Sequence, residues 1–198
     1  MLIYLKDSTN QFMLLNILDF VHKNIQQTVQ AGDTVIDATA GNGHDTLFLA
    51  SCVGAQGKVV AFDIQASALE ATSNRLAKAG YSERVQLIQA GHEHLNEYIQ
   101  SKVSAIIFNL GYLPGGDKNC TTQANTTLKA MQSGLNLLID NGVLAAVLYP
   151  GHEQGKIEAE TIQTWAQSLP QQQIAVLKYT FINRINDAPF ALILQKHS

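Results

Sequence analysis

Cysteine, charge and long apolar runs are all scarce in this chain. The two cysteines, Cys52 and Cys120, form neither a metal-ligand spacing nor a disulfide framework. They read as free thiols of a reducing compartment, so the expected location is the cytoplasm. Charged residues make up 15% of the 198 positions, little for a soluble surface, which leaves apolar surface for a partner to cover and makes a homodimer the natural expectation. A net charge of −3 argues against a strongly basic nucleic-acid binder, though not against a local basic patch. No uncharged apolar run is long enough to cross a bilayer, so no membrane partner is expected. The N-terminus lacks the basic start and apolar core of a signal peptide. Repeats, low-complexity segments and linkers are also missing. The expectation is therefore one domain over residues 1–198, its core supplied by a 46% hydrophobic share.

What is present centres on Val35-Ile36-Asp37-Ala38-Thr39-Ala40-Gly41-Asn42-Gly43-His44-Asp45-Thr46. Thr34 to Ala38 is short, apolar and β-branched, as a buried strand should be. Gly41-Asn42-Gly43 tolerate positive φ and allow a sharp turn. Asp45 to Ala50 then carries apolar positions at helical spacing. A strand, a tight glycine turn and a helix bring backbone close to a nucleotide-type ligand.

The turn departs from two better-known variants. The third glycine of a dinucleotide site is replaced by Thr46, and no Gly-Lys-Ser/Thr follows, which excludes a phosphate-cradling P-loop. Asp37 and Asp45 flank the turn instead. Carboxylates repel phosphates and attract a sulfonium cation, so S-adenosylmethionine (SAM) fits better than NAD or ATP. The plain alternative is an ordinary strand-turn-helix in which Asp45 only caps the helix.

The rest of the chain alternates. Residues 10–31 predict a helix leading into the first strand, with Leu2 to Leu5 as an extended lead-in. Lys58 to Asp63 is a second strand, Ala66 to Ala79 a helix stopped by Gly80, and Val85 to Ile88 a third strand. Glu93 to Gln100 predicts a short helix. Val103 to Leu110 is nearly all apolar, as in a central parallel strand. A helix over 122–139, a strand over 142–149 and a helix over 154–168 follow. Ile174 to Ile182 and Phe190 to Gln195 read as a terminal hairpin. This order predicts an α/β fold, a doubly wound sheet, mostly parallel with one antiparallel strand, and helices on both faces.

Ligands of such sheets bind beyond the carboxyl ends of the strands. Collected there are Asp37 with the glycine turn, Asp63, His92, Asn109 with its Gly/Pro loop, and Tyr149-Pro150-Gly151-His152. Asp63 suits two ribose hydroxyls, Ile64 and Gln65 can flank an adenine, and His92 stands where an adenine contact belongs. The cluster His92-Glu93-His94 does not hold a metal, because neighbouring helix residues do not share a face. Asn109 and a loop carbonyl can each accept an amine N–H and so aim its lone pair, with Tyr112 as a wall. His152 suits a proton acceptor or a phosphate contact. His44 either meets the cofactor or only sits in the turn; His22 and His197 read as incidental. Lys118, Lys129, Lys156, Lys178 and Arg184 would form a modest phosphate-binding rim if loops gather them.

Four stretches together resemble a family: Asp37 to Leu49, Phe62-Asp63-Ile64-Gln65, Asn109-Leu110-Gly111-Tyr112-Leu113-Pro114-Gly115-Gly116-Asp117-Lys118 and Tyr149-Pro150-Gly151-His152. They are similar to the motif set of small bacterial methyltransferases formerly grouped as rRNA methylases, some assigned to tRNA wobble-uridine methylation (the MnmM type). The resemblance implies a class I SAM-dependent methyltransferase acting on the amine of 5-aminomethyl(-2-thio)uridine in a tRNA anticodon stem-loop. It implies cofactor contacts from Asp37, Gly41, Asn42, Gly43, Asp45, Thr46, Asp63, Ile64, Gln65, His92 and Asn109. Asn109, Tyr112, Tyr149 and His152 would line the acceptor pocket. Two positions depart from the pattern: Asp187-Ala188-Pro189 replaces paired prolines, and Gly91 stands where Ser is common. Methylation of rRNA or of a small-molecule amine, and a non-catalytic nucleotide-binding domain, remain as alternatives.

Overall fold

The computed structural model describes residues 14–111 and 121–197. Tyr112, Lys118 and Cys120, and the lead-in at Leu2 to Leu5, lie outside them. A seven-stranded sheet runs through the molecule in the order β3-β2-β1-β4-β5-β7-β6. Strands β1 (Thr34–Asp37), β2 (Lys58–Asp63), β3 (Val85–Gln89), β4 (Val103–Asn109) and β5 (Leu138–Leu148) pair in parallel. β7 (Phe190–Lys196) inserts antiparallel between β5 and β6 (Ile174–Tyr179), as the terminal hairpin required.

Continuous apolar runs in these strands supply both faces, because successive side chains point to opposite sides. Ile36, Val60, Phe62, Ile106, Phe108, Leu144 and Ala146 belong to one core. It is covered by α4 (Leu95–Tyr98), α5 (Ala124–Leu137) and α6 (Glu153–Gln167). Val35, Val59, Ala105, Ile107, Val143, Ala145 and Val147 belong to the other. Its cover is α1 (Ile17–Thr28), α2 (His44–Cys52) and α3 (Ala66–Ala79). The first helix starts where Asn16 accepts the Asp19 amide, and it buries Ile17, Val21 and Ile25, one per turn.

Several boundaries differ from the sequence expectations. The helix expected to reach 139 ends at Leu137, because Leu138 already pairs with Val103. The β5 strand then shifts register through Asn141, whose φ is 63°. The helix expected over 93–100 opens instead as a 3-10 turn, His92–His94, before α4. β6 stops at Tyr179 rather than Ile182, and the first helix, expected over 10–31, starts at Ile17 after the Asn16 cap and ends at Thr28.

Candidate active site at the carboxyl edge of the sheet

Asp37, Asp63 and Asn109 end β1, β2 and β4, and β1 lies between the other two. All three therefore share one rim. Ala40, Gly41, Asn42 and Gly43 form the turn above β1. The Gly43 amide donates to the Ala40 carbonyl (2.8 Å), and Gly43 itself, at φ 78°, caps α2. A Cβ at Gly43 would stand 2.8 Å from the Thr72 Cα, so the position is closed to side chains both by φ and by space. Helix α3 ties the turn down. Thr72 Oγ1 donates to the Gly41 carbonyl (3.0 Å) and Arg75 Nε to the Asn42 carbonyl (2.7 Å). His44 lies beside Arg75, 3.0 Å between Nε2 and Nη2.

Three carboxylates surround this turn. Asp63 accepts from the Gly41 amide and the Gln65 amide, both at 2.9 Å, one on each oxygen. Ile64, just beyond, is 57% exposed. Asp37 is fully buried; it accepts from Thr46 Oγ1 (2.6 Å) and the Thr39 amide (3.1 Å). Burial and the nearby Asp45 and Asp63 charges outweigh those hydrogen bonds and push the Asp37 carboxyl up to about 7. Asp45 is not a helix cap: Gly43 holds that place, and the Asp45 side chain turns sideways. Its Oδ1 accepts from His22 Nε2 (2.7 Å), and its Oδ2 from Asn109 Nδ2 (3.0 Å).

That last contact fixes the Asn109 amide. A carboxylate only accepts, so the Asn109 nitrogen must face Asp45 and the carbonyl oxygen must face elsewhere. The Asn109 backbone amide donates to Thr39 Oγ1 (2.7 Å), which holds the strand end as well. Tyr149 follows β5 next to this group: a Cβ on Gly111 would stand 3.8 Å from its ring. Burial, and then the Asp45 charge, raise the Tyr149 phenol above its ordinary range. His152 caps α6 by accepting the Gly155 amide on Nδ1 (3.1 Å).

Behind the acceptor side runs a buried polar chain. The Gly111 amide donates to Thr122 Oγ1 (2.9 Å), and Thr122 and Thr127 donate to the two oxygens of Glu158 (2.7 and 2.6 Å). His92 Nε2 lies 3.4 Å from Thr127 Oγ1, and its Nδ1 donates to the Ala38 carbonyl (3.3 Å). Burial lowers the His92 pKa, so the ring is held neutral. His92 thus turns inward, bracing the end of β1 against α5, with its edge on Phe108.

The chain matches the model of the family described as "Putative rRNA methylase" over residues 59–195. The chain belongs to this family. Among relatives, it is 38% identical to the chloroplastic tRNA (mnm(5)s(2)U34)-methyltransferase of Arabidopsis thaliana over 84% of its own length. It spans 64% of that longer protein. A crystal structure described in the family's words, from Clostridium thermocellum, superposes with a TM-score of 0.92 at 39% identity. The match covers 93% of this chain and 100% of that one. A protein from Streptococcus mutans, solved in complex with SAH, does so with 0.86 at 35% identity, over 93% and 99%. The fold of this rRNA-methylase family member is that of class I SAM-dependent methyltransferases.

The donor set suits that cofactor. Asp37, Asp45 and Asp63 ring the turn with carboxylates, which suits a cation better than a phosphate; burial first, and then the Asp45 charge, raise the Asp37 carboxyl. Asp63 keeps lone pairs for hydroxyl donors beyond its two amides. Among the described residues no group of three or more His, Cys, Asp or Glu side chains could hold a metal.

The structure brings Asp37, the Gly41-Asn42-Gly43 turn, Asp45, Thr46, Asp63 and Asn109 into one wired unit, with Tyr149 adjoining. The described basic residues of the expected rim lie on four different elements. Lys129 is on α5, Lys156 on α6, Lys178 on β6, and Arg184 in the β6–β7 loop over the Phe181 ring. Sequence reasoning missed Thr39, Thr72, Arg75 and Glu158, and read His22 as incidental. Glu158 carried a signal: it occupies a position of the buried stripe Gly155, Ala159, Ile162 and Ala166. His22 carried none, because it flanks the apolar stripe of a helix remote in sequence from the turn.

Proposed function

We propose that the protein is a SAM-dependent N-methyltransferase acting on the primary amine of 5-aminomethyl(-2-thio)uridine at the tRNA wobble position. The observation that carries the reading is the Asn109 amide, locked by Asp45 at the edge of the carboxylate-ringed turn. The Arabidopsis thaliana relative, a tRNA (mnm(5)s(2)U34)-methyltransferase, supports the substrate.

SAM, when bound, supplies an electrophilic methyl group on a sulfonium centre. Asp37, Asp45 and Asp63 would favour that cation, and Asp63 the ribose hydroxyls. Asn109 Oδ1 would accept one N–H of the amine and so aim the nitrogen lone pair at the methyl group. Holding such reactants in line at about 3–3.5 Å supplies most of the rate in transfers of this kind. A free alkyl amine has a pKa near ~10, so the pocket must favour its neutral form. Partial burial around Tyr149 does this, and His152 or solvent takes the released proton. Among the described residues no helix is long and apolar enough to cross a membrane. A cytoplasmic homodimer completes the reading, and sedimentation tests the dimer.

The test is mass spectrometry of wobble nucleosides from cells lacking this protein, followed by methyl transfer from SAM to that tRNA by the purified chain. Accumulation of the unmethylated amine, removed by the enzyme, is expected. The family's description keeps rRNA as a second substrate class. Labelling of ribosomes or free metabolites, with tRNA left unlabelled, would favour that reading over ours.

A further inference from the structure

Asn109 can orient an amine only while its amide is held one way round. That orientation comes from Asp45, and Asp45 is itself a short side chain with freedom about two bonds. Its second oxygen is held from outside the strand-turn-helix unit, by His22 Nε2 at 2.7 Å. The imidazole has little freedom of its own. It lies flat on Phe48 of α2, ring centroids 3.9 Å apart and planes within 9°. Its neighbour Val21 is fully buried, which anchors that turn of α1. Asp45 is 6% exposed, so with His22 in place its carboxylate is held by protein partners rather than by solvent.

We propose that His22 is a positioning residue for the acceptor, acting through Asp45 on Asn109. The inference rests on the methyltransferase reading above and extends it to a helix that the family match at residues 59–195 does not include. With His22 in place, both Asp45 oxygens are occupied and the Asn109 carbonyl faces the acceptor side. Without it, the carboxylate turns and the Asn109 amide can flip. A flipped amide presents N–H to the amine, binds its lone pair and blocks attack.

The test compares His22→Ala, His22→Asn and His22→Gln. A Gln amide nitrogen reaches about as far as the histidine Nε2, whereas an Asn amide stops near Nδ1. Three quantities are read: single-turnover methylation, with saturating SAM, of tRNA from cells lacking the protein; SAM affinity by calorimetry; and hydrogen exchange of the Asn109 side-chain amide. The Ala and Asn variants are expected to slow methylation about tenfold, the scale of one lost charge-assisted hydrogen bond. SAM affinity should stay within about twofold, and the Asn109 amide should exchange faster. Gln should restore rate and protection. A Gln variant no better than Asn overturns the proposal, as does an unchanged rate in all three, or SAM affinity falling in step with rate. If the unaltered protein labels no tRNA, the substrate reading fails by itself. Amide exchange then decides the role of His22: protection lost in Ala and Asn but kept in Gln supports it, and equal protection in all overturns it.

Discussion

On the proposed reading, the raised Asp37 carboxyl predicts that cofactor binding is proton-linked. In the free protein it titrates near 7, raised chiefly by burial and then by the Asp45 charge. A cation bound beside the turn would favour its ionised form, so binding below pH 7 is expected to expel its proton. The apparent Kd then exceeds its plateau by about 2-fold at pH 7, about 11-fold at pH 6 and about 100-fold at pH 5. Calorimetry in buffers of different ionisation enthalpy should show about nine-tenths of a proton released per SAM at pH 6. The sign for stability is opposite to that of a salt-bridged acid. A carboxyl raised from 3.8 to about 7 costs the fold stability as pH rises through that interval, so the free protein melts lower at pH 7.5 than at pH 5 on this account. Asp37→Asn should flatten both profiles, since the amide keeps partners in Thr39 and Thr46 but carries no proton to lose. A Kd independent of pH between 5 and 7, with no proton released, would refute the reasoning.

Other outcomes are equally direct. Asn109→Ala should lower turnover about 100-fold or more while SAM affinity changes only a few-fold, measured by single-turnover kinetics and calorimetry; equal losses in both would remove its orienting role. Asp63→Ala should weaken SAM binding about 10- to 100-fold, since it removes an acceptor for hydroxyl donors and frees the Gly41 amide. Thermal denaturation should show Gly43→Ala less stable by about 1–3 kcal/mol, from the contact with Thr72 together with positive φ.

Where one physical rule dominated, the sequence was legible. Lys58–Asp63 and Ala66–Ala79 have the bounds expected of them, because an apolar run ended in an acid and a helix ended at Gly80, which adopts φ 74°. The rim of Asp37, Asp63 and Asn109 follows from parallel strands alone. The start of β5 was hidden because Leu138 and Ile139 continue the apolar pattern of the preceding helix, and only pairing with Val103 decides between them. His92 was legible as a strand-end residue, but not its inward bond to the Ala38 carbonyl, 54 residues away in the chain. No local pattern encodes such a bond, and the same holds for His22 and Asp45.

The first helix packs on β5 and β7, and the Tyr179 hydroxyl donates to the Leu15 carbonyl, so an early helix is completed by strands that come much later in the sequence. During synthesis Ile17, Val21 and Ile25 therefore emerge long before the strands that will cover them. The nascent protein must carry an uncovered greasy stripe until β5 and β7 are made. A ribosome stalled before residue 138 would display that stripe to chaperones, with the reactive corner still lacking its finished support.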